Sequence, residues 1–121
     1  MVDEAEIQEI VAETMASNPV IEGMVACNAD GEVIFGHTLS DSIKHKKVAD
    51  LVVKLSSLSS QLSGTVDKGE LKEVSITSEG GYVIILGDIE LVLAAIVGEE
   101  GRESMGLIRM AVRRALRSMV E

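Results

Sequence analysis

Aromatic side chains are nearly missing from this chain: Phe35 and Tyr82 stand without a tryptophan. Its core must therefore be aliphatic. Two rings are also too few for the stacking platforms on which single-strand nucleic-acid binders seat bases. Cysteine is equally scarce. Cys27 stands alone, so no disulfide can form within the chain, which fits a reducing compartment. Its place in the run Met24-Val25-Ala26-Cys27 reads as a buried small hydrophobe, not as a reactive thiol. Positive charge is in deficit: 11 Lys and Arg face 20 Asp and Glu, a net charge of −9. Phosphate backbones and anionic lipid surfaces are held by Lys and Arg, so nucleic acid is not an expected partner. Long apolar runs are lacking too. The longest, Leu91 to Val97, falls far short of the roughly 20 residues a membrane helix needs. The opening Met-Val-Asp-Glu has neither the basic nor the apolar region of a signal peptide. No direct membrane insertion is expected, and the expected location is cytoplasmic.

What is present suits one domain over residues 1–121, with 46 % apolar residues to fill it. Ile7, Ile10, Val11, Thr14 and Met15 form an amphipathic helical stripe over residues 3–17, closed by Asn18-Pro19. Residues 20–28 read as a strand apolar on both faces. Asp30-Gly31 forms a hairpin turn, and residues 32–37 are the returning strand. Thr38 or Ser40 caps a second helix over about 41–63, with Gly64 as its stop. Residues 70–77 alternate as a half-exposed strand. Ser78 to Gly81 is a turn, and residues 82–86 and 90–97 are two further strands apolar on both faces, separated by a Gly87-Asp88 turn. A loop at 98–101 precedes a last helix over 102–120, whose inner face is Met105, Ile108, Val112, Leu116 and Met119. The order is α-β-β-α-β-β-β-α, an α+β fold in which short turns make the strands antiparallel. The three doubly apolar strands should be central, with helices on both sides. Residues 32–37 and 70–77 are the edge candidates.

Chemistry is hard to find. His37 and His45 have no Cys or His at metal-ligand spacing and read as solvated surface residues. There is no G-x-x-x-x-G-K-[ST] loop and no G-x-S-x-G elbow. Gly80-Gly81 lies between strands, where it cannot cradle a phosphate at a helix start. The carboxylates cluster on the first helix, as a solvated face does. No catalytic residue, metal site or cofactor is expected, so the chain reads as a non-enzymatic interaction module.

The second helix is the most informative segment. Val48, Leu51, Leu55, Leu58 and Leu62 alternate by three and four, a heptad seam. Ser56, Ser57, Ser59, Ser60 and Ser63 flank its C-terminal half, and such small residues let two helices approach closely. The seam reads either as a dimer contact or as an ordinary core stripe. The edge strand at 70–77 favours the dimer, because an open edge is a liability unless it is paired or blocked. Lys72 serves equally well as the blocking charge. Charge is also divided along the chain. Residues 1–40 contain no Lys or Arg, whereas Arg109, Arg113 and Arg117 form a stripe on the last helix. Pairing between the acidic first helix and the basic last helix is the favoured reading. The rival is a basic patch for a partner's acidic surface.

Together these features resemble the Roadblock / dynein light-chain family, including its prokaryotic MglB-like members. The local matches are Val20-Ile21-Glu22-Gly23 opening the first strand, Asp30-Gly31 at the first hairpin, and Gly69-Glu70-Leu71 opening the third. The long middle helix fits as well, and the likeness spans residues 3–120. The resemblance implies a profilin-like five-stranded antiparallel sheet with the first and last helices on one face and the middle helix on the other. It further implies a homodimer formed by pairing the middle helices and the third strands. The contact would use Val48, Leu51, Leu55, Leu58 and Leu62, with Leu71, Val74 and Ile76 from the strand. Family members act as non-enzymatic platforms that bind, regulate or scaffold Ras-like small GTPases. Lys44, Lys47, Asp50 and Lys54 are the charged candidates for such a partner, and no residue reads as an arginine finger. The alternatives are a structural adaptor subunit of another complex, in the manner of a dynein light chain, and a small-ligand sensor.

Overall fold

The computed structural model describes residues 3–87 and 90–121. The chain runs α1 (Glu4–Ser17), β1 (Ile21–Cys27), β2 (Val33–Thr38), α2 (His45–Thr65), β3 (Glu73–Ser78), β4 (Gly81–Gly87) and β5 (Val92–Gly98). A 3-10 turn (Glu99–Ser104) then leads into α3 (Met105–Val120). This is the order expected from the sequence. Part of the expected Gly87-Asp88 turn lies outside the described residues.

The strands form one antiparallel sheet in the order β2-β1-β5-β4-β3. The three doubly apolar strands are central and the two half-exposed ones are the edges, as their patterning requires. Strand alternation sends Met24, Ala26, Ile84, Leu86, Leu93 and Ala95 to one face, where Ile7 and Val11 of α1 and Ile108 and Val112 of α3 cover them. Val25, Cys27, Ile85 and Ala94 point the other way, toward Ala49 and Val52 of α2. The placement of helices on the two faces is the one the family resemblance implies.

Local chemistry sets the element ends. The Asp3 carboxylate accepts from the Ala5 N–H at 2.9 Å and caps α1. Glu4 and Glu6 lie in the first turn, where the helix dipole favours them. The β1–β2 turn is organised by Asn28, whose Oδ1 accepts from the N–H groups of Asp30 and Glu32 at 2.9 and 3.0 Å. Gly31 takes a φ of 83° there. A side chain on Gly81, at φ 146°, would collide with the carbonyl oxygen of Val97.

Several expected boundaries move. Neither Thr38 nor Ser40 caps α2. The helix starts at His45 behind Lys44, and no side chain bonds its first turn. Thr38 ends β2, and its hydroxyl pairs with His45 Nε2 at 3.1 Å. His45 is therefore half-buried, not solvated. Its ring sits over Gly36, where a Cβ would approach Nδ1 to 2.7 Å. At the other end α2 passes Gly64 and closes at Val66. β3 begins at Glu73, so Leu71 precedes the strand. β5 begins at Val92, not at Glu90. The expected loop at 98–101 and the expected start of the last helix are replaced by the 3-10 turn.

The favoured pairing of terminal helices also fails. Arg109 and Arg113 reach away from α1 to Glu73 on β3, at 3.0 and 3.3 Å. α3 packs against β4 while α1 covers β1 and β2, so these arginines overhang the β3 edge.

Candidate interaction surface

α2 packs on β1, β2, β5 and β4, and its amphipathic residues divide accordingly. Ala49 and Val52 are buried, and Val48, Val53 and Leu55 pack partly against the sheet. Leu51, Leu58 and Leu62 point outward and are 52, 63 and 64 % exposed. The five seam residues thus separate into two that lean on the core and three that face solvent. Helical periodicity places Lys44, Lys47 and Lys54 on the same outer ridge as the three leucines. The ridge is cationic toward its N-terminal half and apolar toward its C-terminal end.

Beside the ridge runs a groove of about 620 Å³ whose lining includes Val53, Ser56, Ser57, Ser60, Leu71 and Ile85. Beyond it lies β3, which among the described residues pairs with β4 alone and leaves its other edge open. Val74 and Ile76 of β3 are half-buried on the α2 side of the sheet. Val74 shares an apolar cluster with Leu55, so the leucine ridge, the groove and the open edge form one continuous surface. An uncovered apolar ridge next to an unpaired strand edge is suited to association with protein.

The charged candidates converge at the other end of α2. Lys44, Lys47 and Asp50 line a cleft of about 740 Å³ with Asp30, Gly31 and Glu32 of the β1–β2 turn. Lys54 joins through its ion pair with Asp50 at 3.1 Å. Neither cleft is lined by a His or a Cys. Cys27 is buried, and desolvation pushes its thiol pKa up, so it is a poor nucleophile. Among the described residues no group of three His, Cys, Asp or Glu side chains converges on a metal position. Among them, too, no helix is long and apolar enough to cross a membrane.

A model of the Roadblock/LC7 domain matches residues 7–97, from the buried face of α1 to the end of β5. The chain belongs to the Roadblock/LC7 domain family. The same architecture is found in MglB from Myxococcus xanthus, which is 14 % identical with a TM-score of 0.85 over 96 % of this chain and 86 % of that one. The gliding protein MglB from Thermus thermophilus is 15 % identical with a TM-score of 0.79, over 96 % and 87 %. A Roadblock/LC7 domain from Streptomyces avermitilis is 19 % identical with a TM-score of 0.75, over 93 % and 97 %. No curated protein sequence matches significantly.

Two features of this Roadblock/LC7 chain escape sequence reasoning. The His45 ring over Gly36 and the clamp of Arg109 and Arg113 on Glu73 join residues from different elements, and no local pattern announces them. Asn28 was findable, since an Asn placed before Asp-Gly is a side-chain acceptor for the turn.

Proposed function

We propose that this chain is a non-enzymatic homodimeric module that regulates or scaffolds a Ras-like small GTPase. The observation that carries the reading is the exposed ridge of Leu51, Leu58 and Leu62 beside the open edge of β3. A second copy related by a two-fold axis covers both at once, because an isologous contact sets each ridge and each edge against its own equivalent. Leu55, Val74 and Ile76 complete the buried centre, with Val48 and Leu71 at its margins. Membership of the Roadblock/LC7 family supports the pathway assignment. The cleft of Lys44, Lys47 and Asp50 lies at the N-terminal end of the ridge, where it offers charged groups to the partner, and Lys54 sits at its border with the leucine contact. The module works in the cytoplasm as one domain.

A pulldown with the host's small GTPases, loaded in turn with GTP and GDP, tests the assignment. Binding that differs between the two nucleotide states supports it. Binding in neither state overturns it, and capture of a partner without a nucleotide site supports the adaptor alternative instead.

A further inference from the structure

β3 alternates along its length: Val74 and Ile76 face α2, while Glu73 and Ser75 face α3. Ser78 pairs with Gly81 across a two-residue turn. Val74, Ile76 and Ser78 therefore exchange the ladder bonds with β4, and Glu73, Ser75 and Thr77 turn their N–H and C=O groups to the edge left open among the described residues. Glu73 is the one charged residue of the strand, and two arginines meet it. Arg109 straddles the row, donating from Nε to Glu73 Oε2 at 3.0 Å and from Nη2 to Ser75 Oγ at 3.4 Å. Arg113 donates from Nη2 to Glu73 Oε1 at 3.3 Å and is half-exposed. Two cations thus face one carboxylate at the border of the sheet. Nearby charges are engaged elsewhere: Lys72 pairs with Glu70 at 3.4 Å, and Arg102 donates to the Tyr82 hydroxyl. Glu79 stands beyond the far end of the strand, in the β3–β4 turn.

A strand that completes this edge needs apolar residues toward α2 and a carboxylate toward α3, and β3 itself has that order. Resting on the dimer proposed above, we infer that Arg109 and Arg113 act across it: each Glu73 is held by arginines of both copies, and this shared clamp sets the register in which the two β3 strands pair. Packing places the axis. Setting Leu51, Leu58 and Leu62 against their equivalents on an antiparallel α2 puts the axis near the middle of the ridge, beside Leu55, which shares an apolar cluster with Val74. The axis therefore crosses the strand pair at Val74. Val74 then faces the partner copy's Val74, and Ser75 faces the partner copy's Glu73 with Cβ atoms about 5 Å apart. Arg109, which already reaches Ser75, comes within range of that carboxylate, and the match occurs twice. Val74 and Ile76 must stay on the α2 side in both copies, so the register slips only by moving the axis onto another residue. At Ser75 it would crowd the two Arg109 guanidiniums together. At Glu73 it would set the two carboxylates head-on. At Ile76 it would carry Glu73 past the end of the partner strand.

Two measurements on the full chain test the inference. In a Cys27→Ala background, Val74→Cys, Ser75→Cys and Ile76→Cys each report one register, because only a residue on the axis meets its own equivalent at disulfide distance. Val74→Cys is expected to cross-link under mild oxidation about tenfold faster than the other two. Faster cross-linking at either of the others overturns the register. The charges are tested by Glu73→Arg and Arg109→Glu, with sedimentation velocity as the readout. Each variant alone sets like charges together and should weaken the dimer about tenfold or more. Their mixture places opposite charges across the axis in both halves of the contact, while like charges remain within each chain. The mixed dimer should therefore form more tightly than either variant alone, a gain that neither chain's own folding can supply. A mixture no heavier than its components confines the clamp to one chain and overturns the inference. The dimer itself is read separately. If the wild type dimerises and Leu58→Asp dissociates it, failure of the mixture removes only this inference, whereas a monomeric wild type removes both.

Discussion

Arg109 on α3 donates from Nε to Oε2 of Glu73 on β3 at 3.0 Å, joining residues 36 positions apart. Arg113 holds the other carboxylate oxygen at 3.3 Å. The Glu73 side chain is 18 % exposed, so it relies on these donors in place of water. Arg109→Met is expected to lower stability by about 1–2 kcal/mol, as for hydrogen bonds to charged groups. The exposed Lys54–Asp50 pair sets the contrast: Lys54→Met should cost less than about 0.5 kcal/mol. Urea unfolding midpoints of the two variants measure the difference.

Gly81 tolerates no side chain. Its φ of 146° and the Val97 carbonyl oxygen against its Cβ position predict a loss of about 2–4 kcal/mol for Gly81→Ala. Gly80, with open space around its Cβ position, should accept alanine with a change of about 0.5 kcal/mol or less. Thermal melts of the neighbouring variants provide the comparison.

The turn after β1 depends on one amide side chain. Asn28→Ala removes acceptors for two backbone N–H groups and should cost about 1 kcal/mol. Amide hydrogen exchange should show the loss as faster exchange at Asp30 and Glu32.

Leu58 tests the dimer better than Leu55 does. Leu55 packs partly on the sheet, so a charge there damages folding and association together. Leu58 faces solvent. Leu58→Asp should leave the circular dichroism spectrum unchanged and raise the dimer dissociation constant about a hundredfold, or roughly 3 kcal/mol. A wild type that sediments as a monomer at micromolar concentration would remove the basis for the dimer.

Cys27 should resist alkylation at neutral pH until the chain unfolds. Burial raises its thiol pKa above the ordinary 9.0, so the folded state retains the proton over a range where the unfolded chain has lost it. The stabilisation is complete below the unfolded value and is lost as pH rises through the folded one. Cys27→Ala should flatten the alkaline loss of stability relative to wild type, which denaturation at stepped pH would reveal.

Much of the fold was readable from the chain itself. Two-residue alternation, doubly apolar runs and turn residues are local properties. They were enough to name five strands and three helices, to separate central strands from edges, and to place Cys27 in the core. Element boundaries were less legible, because they depend on contacts from elsewhere. The start of α2 is the clearest case: the Thr38 hydroxyl that reads as a cap is taken by the ring of His45.

The three-and-four spacing from Val48 to Leu62 established an apolar stripe on α2, and the charge counts established that one terminal helix is acidic and the other basic. Spacing leaves open how the helix is rotated on the sheet. Only packing turned Ala49 and Val52 inward, left Val48 and Leu55 on the flank, and exposed Leu51, Leu58 and Leu62. Charge order along the chain likewise did not choose the arginines' partner. The sheet order put α3 beside the β3 edge, and Glu73 came within reach of Arg109 where the carboxylates of α1 did not. The physical reason is the same in both cases. Periodicity and composition act over a few residues, whereas the face a side chain presents and the charge it meets depend on chain segments tens of residues away.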